Sequence, residues 1–151
     1  MATKNLSESL PGTWWLQSRI DVTAAGEQHP DPLLGEDAVA LLIYDRSGHF
    51  SAQFMKRDRL SPPRTVLAAA ANNTQAQGGY DAYFGTYIVD NASSMVTQRL
   101  LGSLSQANIG MVLTREMEVR GDTLVIQLET TAADGIPVTR TLTWKRVGDS
   151  A

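Results

Sequence analysis

The sequence predicts an all-β domain: an eight-stranded antiparallel up-and-down barrel with one short helix capping an end. Three observations lead there. Residues 39–44 and 49–55 are apolar runs of strand length on either side of Asp45-Arg46-Ser47-Gly48, where Gly48 can take the left-handed conformation that closes a short hairpin. The rest of the chain repeats that theme of strand, short turn and strand. Finally, the strands succeed one another without a Greek-key crossover, and the single helix-forming stretch falls where it could cap a barrel mouth. A sandwich also satisfies the turn spacing; the last observation favours the barrel.

Taken in order, residues 1–11 are polar, end in Pro-Gly and read as a loose leader, leaving 12–148 as the single domain. Residues 13–22 alternate as a half-buried strand, with Trp14, Leu16, Ser18, Ile20 and Val22 on one side and Thr13, Gln17, Arg19 and Asp21 on the other. Two glycines and two prolines make 23–37 a long irregular loop, of the kind that often carries function. After the hairpin, Ser61-Pro62-Pro63 breaks the chain. The Ala- and Leu-rich stretch 64–71, ending at Asn72-Asn73, predicts a helix of about two turns. Further strands are expected at 80–89, 94–101, 110–119, 124–130 and 138–147, separated by turns such as Arg120-Gly121-Asp122.

Composition narrows the function classes. With 42% hydrophobic and 19% charged residues the chain is ordinary globular material, long enough for one core. Its net charge of −3, with no basic block beyond Lys56-Arg57-Asp58-Arg59, argues against nucleic acid or an anionic membrane as partner. The absence of cysteine excludes disulfides, thiol nucleophiles and cysteine-bound zinc. No signal-peptide core and no membrane-length apolar run is present, so a cytoplasmic protein is expected.

An ordered set of short matches resembles the small lipocalin-like domain proteins of bacteria and fungi. It comprises Gly12-Thr13-Trp14; Leu42-Ile43-Tyr44, Gly48, Ser51-Ala52-Gln53 and Met55; Tyr83-Phe84-Gly85-Thr86-Tyr87; Gly121-Asp122-Thr123-Leu124; and Trp144-Lys145-Arg146-Val147. The resemblance implies a calycin-type barrel with an internal cavity, and a late arginine packed on the first-strand tryptophan, here Arg146 on Trp14, as a structural pair. It also implies a histidine in the strand after Tyr87, but this chain has Met95-Val96-Thr97-Gln98-Arg99 there. Such barrels include carriers as well as isomerases, cyclases and lyases, so the family alone does not assign a reaction.

The most informative residues are charges on apolar faces. Arg115 shares parity with Met111, Leu113 and Met117, and Arg140 with Val138, Leu142 and Trp144, so both should point into the barrel. A buried guanidinium needs an acceptor, and those two strands place no acid on the same face. A ligand carboxylate, phenolate or enolate is one answer; a hydroxyl, a carbonyl or an acid from across the barrel is the other. Tyr44, Tyr83 and Tyr87 could add hydrogen bonds from the wall or simply pack there. Gln53 faces the cavity only if the hairpin turn has the right length: a three-residue loop pairs Tyr44 with Phe50, a four-residue loop pairs it with His49. The two histidines, His29 and His49, read better as solvated loop residues than as a metal site. Asp31, Glu36 and Asp37 lie in the first long loop, within reach of a barrel mouth.

The expected ligand is therefore a small, mostly apolar or amphipathic organic molecule with an anionic or carbonyl end. Arg115, Arg140, Tyr44, Gln53, Tyr83, Tyr87, Met111 and Leu113 would bind it, with no metal and no cofactor. An enzyme of this design would isomerise, cyclise or eliminate without a cofactor. Arg115, Arg140 and Tyr44 would stabilise an oxyanion, and His29 or a loop acid would move the proton. The competing readings are a carrier without turnover, and an interaction protein with a self-filled barrel that docks a second copy as a homodimer through residues 41–43.

Overall fold

The computed structural model describes residues 4–59 and 72–148. Its strands are β1 (Gly12–Thr23), β2 (Val39–Tyr44), β3 (His49–Met55), β4 (Tyr80–Asp90), β5 (Met95–Ser103), β6 (Val112–Arg120), β7 (Thr123–Thr131) and β8 (Pro137–Arg146). They pair antiparallel in chain order, and β8 returns to β1, closing the barrel with no open edge. The helix expected at 64–71 lies outside the described residues. No helix among the described residues is long and apolar enough to cross a membrane.

The expectation of a loose leader gives way, for residues 4–11, to an ordered plug at one end of the barrel. Asn5 caps a one-turn helix α1 (Leu6–Ser9) by accepting from the Glu8 amide. Ser7 N–H donates to Asn91 Oδ1 in the β4–β5 turn at 2.9 Å. Leu10, the apolar residue among polar neighbours, is fully buried, and Trp14 Nε1 donates to its carbonyl at 3.0 Å. The Arg146 guanidinium lies 4.2 Å over the Trp14 ring and donates to the carbonyls of Ser9 and Pro11 at 2.7 and 3.0 Å. This end is shut.

Strand register decides what faces inward. The β2–β3 hairpin pairs Tyr44 with Phe50 around a three-residue loop closed by Gly48 at φ +91°, while Asp45 Oδ1 accepts from the amides of Ser47 and His49. Phe50, Ala52 and Phe54 therefore enter the core and Gln53 is exposed. In β1, Leu16 pairs with Trp144 but Ser18 with Thr143, so Gln17 is an extra residue forming a β-bulge. The bulge inverts the expected faces beyond it. Ile20 is 40% exposed, while Asp21 is buried inside the barrel and the Arg19 side chain is largely covered. Simple alternation had placed Ile20 inside and Asp21 outside; one inserted residue reverses them.

Trp14, Tyr44, Phe50, Leu113, Met117 and Trp144 fill the plugged half of the interior. At the other end, the β1–β2 connection folds inward through Leu33 and Leu34, and the β3–β4 connection through residues 73–76. Between these connections and the core lies the cavity.

Candidate functional site

Alternation along β6 and β8 turns Arg115 and Arg140 inward, where they are 7% and 4% exposed. Neither guanidinium is bare. The bulge in β1 brings Asp21 opposite Arg140, and its two oxygens accept from Arg140 Nε and Nη2 at 2.8 and 3.0 Å. Arg140 also donates to Asn73 Oδ1 at 3.2 Å and lies 3.6 Å from Asp31. Asp31, reaching in from the first long loop, pairs with Arg19 at 2.6 Å and accepts from the amides of Leu33 and Leu34. Burial pushes the Asp31 carboxyl up, but Arg19, the Leu34 amide and Arg140 outweigh it and hold it below the usual carboxylate range. Two arginines and two aspartates are thus matched within the protein.

Arg115 is different. Its Nη1 donates to Asn72 Oδ1 at 3.1 Å and to the Thr114 carbonyl at 2.9 Å, both neutral oxygens, and it forms no ion pair among the described residues. Asn72 is held for this role. The β6–β7 ladder begins only at Glu116 opposite Gln127, so Thr114 has no partner on that side. Asn72, in the left-handed conformation at φ +59°, accepts from the Thr114 amide at 2.8 Å and donates to its carbonyl at 3.3 Å. Burial pulls the Arg115 guanidinium down from its ordinary value, and arginine nevertheless keeps its charge at neutral pH.

Asp81, at the start of β4, is the matching acid, without an ion pair among the described residues. It is 4% exposed; Oδ2 accepts from the Thr74 hydroxyl at 2.5 Å, and Oδ1 has no partner among the described residues. Burial pushes its carboxyl up to about 6, with the Thr74 hydrogen bond only partly offsetting this. Tyr83, two residues on and facing the same way, is pushed up to about 12 by burial, with the Asp81 carboxylate adding to the effect.

Arg19, Asp31, Asp81, Tyr83, Arg115 and Arg140 all line one cavity of about 50 Å³, whose apolar wall includes Phe54, Leu128 and Leu142. A second space of about 30 Å³ lies deeper, against Tyr44, Gln98 and Trp144; Phe54, Tyr83, Arg115 and Leu142 border both. The Trp144 indole N–H is buried there without an acceptor among the described residues. Chemically, the larger cavity offers one cation without an acid beside it among the described residues, acceptors for a donor, and an apolar part of its wall.

The sequence-predicted residues separate accordingly. Arg115, Arg140 and Tyr83 meet at the larger cavity, and Tyr44 at the deeper one, where its hydroxyl donates to Gln98 Oε1 and burial pushes it well above its ordinary value. Gln53 does not join them: the three-residue turn puts it on the outer face, where Tyr80 donates to it. Tyr87 sits near the plugged end, donating to the Asp45 carbonyl at 2.6 Å and meeting the Tyr44 ring edge-on. Met111, just ahead of β6, and Leu113 pack in the core. His29 lies outside the cavity wall, 2.7 Å from Asp134 of the β7–β8 turn, so the proton-moving role assigned to it has no geometric support. Asp81 and Asp21 were missed. Asp81 shares parity with Tyr83 and Tyr87, a signal present in the sequence; Asp21 was hidden by the bulge.

No group of three or more metal-ligating side chains occurs among the described residues. Residues 11–147 match the family model described as a lipocalin-like domain. No curated protein matches the chain.

Proposed function

We propose that this chain, which belongs to the lipocalin-like domain family, binds a small organic molecule in the cavity at the unplugged end of its barrel, with an anionic or carbonyl end on Arg115. The observation that carries this reading is the state of Arg115: 7% exposed, charged, and hydrogen-bonded among the described residues only to Asn72 Oδ1 and the Thr114 carbonyl. A buried cation without a carboxylate is costly, and a bound oxyanion would supply the missing charge. Arg140, assigned the same role from sequence, is satisfied by Asp21 and acts as scaffold. In a cofactor-free isomerase, cyclase or lyase, Arg115 would stabilise the developing oxyanion; in a carrier it would fix orientation.

The test is a thermal-shift and native mass-spectrometry screen with small aromatic and aliphatic acids, wild type beside Arg115→Ala. At about 100 times Kd a bound ligand should stabilise the fold by roughly 2.7 kcal/mol, and the variant should lose that gain. Hits retained in full by the variant would defeat the Arg115 anchor. A second reading has one observation in its favour: spaces of about 50 and 30 Å³ are far below the roughly 300 Å³ at which ordinary ligand pockets begin. On that reading the barrel is filled by its own side chains, and no acid in the screen shifts the melting temperature.

A further inference from the structure

Arg115 and Asp81 line the same cavity, each without an ion pair among the described residues, and they form none with each other. The other three charged groups lining it are matched, Arg19 with Asp31, and Arg140 with Asp21 behind the wall. What remains is a cation and an acceptor bordering one cavity that also has apolar residues in its wall. The acceptor is fixed: Thr74 holds Asp81 Oδ2, so Oδ1 is the atom left over. Gln75, which also lines the cavity, has a second buried acceptor, Oε1, with no partner among the described residues. A buried acceptor left unmade costs free energy that a donor on a ligand would recover.

We propose that the ligand is a hydroxy acid, its carboxylate on Arg115 and its hydroxyl donating to Asp81 Oδ1. This deepens the preceding reading and rests on it for the carboxylate end alone. A hydroxyl fits the acceptor better than an ammonium does. Stripping water from an ammonium in so enclosed a space removes the whole hydration of a charge, whereas a hydroxyl gives up one or two hydrogen bonds and regains one to a charged oxygen. The apolar wall of Phe54, Leu128 and Leu142 suits a hydrocarbon body between the two ends.

Matched probes test this: phenylacetate, mandelate and 4-hydroxyphenylacetate, with benzyl alcohol as a neutral donor, titrated by calorimetry into wild type, Asp81→Ala and Asp81→Asn. Circular dichroism and melting confirm that each variant is folded. At least one hydroxylated acid should bind wild type about tenfold or more tightly than phenylacetate, and that preference should collapse towards unity in Asp81→Ala while phenylacetate affinity holds. Asp81→Asn, which keeps an oxygen without the charge, should fall between. Equal affinities for all three acids, or a hydroxyl preference that survives Asp81→Ala, would overturn the inference and leave the Arg115 reading standing. Benzyl alcohol binding in an Asp81-dependent way, with no acid bound, would remove the Arg115 anchor and keep the hydroxyl site. Binding of none of the probes would overturn both.

Discussion

Asp21 and Arg140 stand directly opposite each other on β1 and β8, joined by two hydrogen bonds of 2.8 and 3.0 Å inside the barrel. They meet because β1 carries one residue more than β8 needs, and that residue, Gln17, turns the strand over. The pair therefore fixes the bulge, the register of the barrel's closing seam and one side of the cavity together.

Removing Arg140 takes both hydrogen bonds from Asp21 and leaves it the charge of Arg19, whereas removing Asp21 leaves Arg140 with Asn73 and Asp31. Arg140→Ala is expected to cost about 3–5 kcal/mol in urea unfolding and Asp21→Ala less. The double variant Asp21→Leu/Arg140→Met should recover most of the loss. Single variants within about 0.5 kcal/mol of wild type would show that the pair contributes nothing to the fold.

Asp81 makes stability depend on pH in the direction opposite to a salt-bridged carboxylate. Its folded pKa of about 6 lies above the ordinary 3.8, so between those values the folded protein binds more protons than the unfolded chain. The sign follows: this group's contribution falls as pH rises from 3.8 through 6, and its penalty, of the order of 3 kcal/mol, is complete above that window. Asp81→Asn should raise the melting temperature at pH 7.5 and leave it unchanged near pH 3.5. A uniform shift at both pH values would contradict this assignment.

Gly85 shows how closely β4 and β5 approach at the bulge opposite Leu100. A Cβ there would lie 1.8 Å from the Arg99 carbonyl oxygen, against backbone that cannot step aside. Gly85→Ala is predicted to destabilise by about 3 kcal/mol or to abolish folding. A melting temperature within a degree or two of wild type would refute the close approach.

At the plugged end, Arg146→Ala loses the stacking on Trp14 and both carbonyl contacts, with an expected cost of about 2 kcal/mol. Arg146→Lys should rescue little, because an ammonium cannot span the ring and two carbonyls in one plane. Chemical denaturation of the three proteins decides it; full rescue by lysine would mean that charge alone matters.

What the sequence determined by itself follows from the period-two rule and from turn chemistry. Eight strands, their order, the inward aim of Arg115 and Arg140, and the Trp14–Arg146 pair were legible because each depends on residues near one another in a strand or turn, or on an ordered family pattern. Asp81 was missed, although its parity with Tyr83 carried the signal. Tertiary structure alone decided the rest. Whether Gln53 faces in or out hangs on one residue of loop length, and whether Asp21 does hangs on one residue of bulge. The partner of each buried charge comes from distant segments: Asp21 lies 119 residues from Arg140, and Asn72 lies 43 from Arg115. Alternation says which way a side chain points. Only closure of the barrel says what it meets, and that difference separates Arg140, which Asp21 satisfies, from Arg115, which has no acid beside it among the described residues.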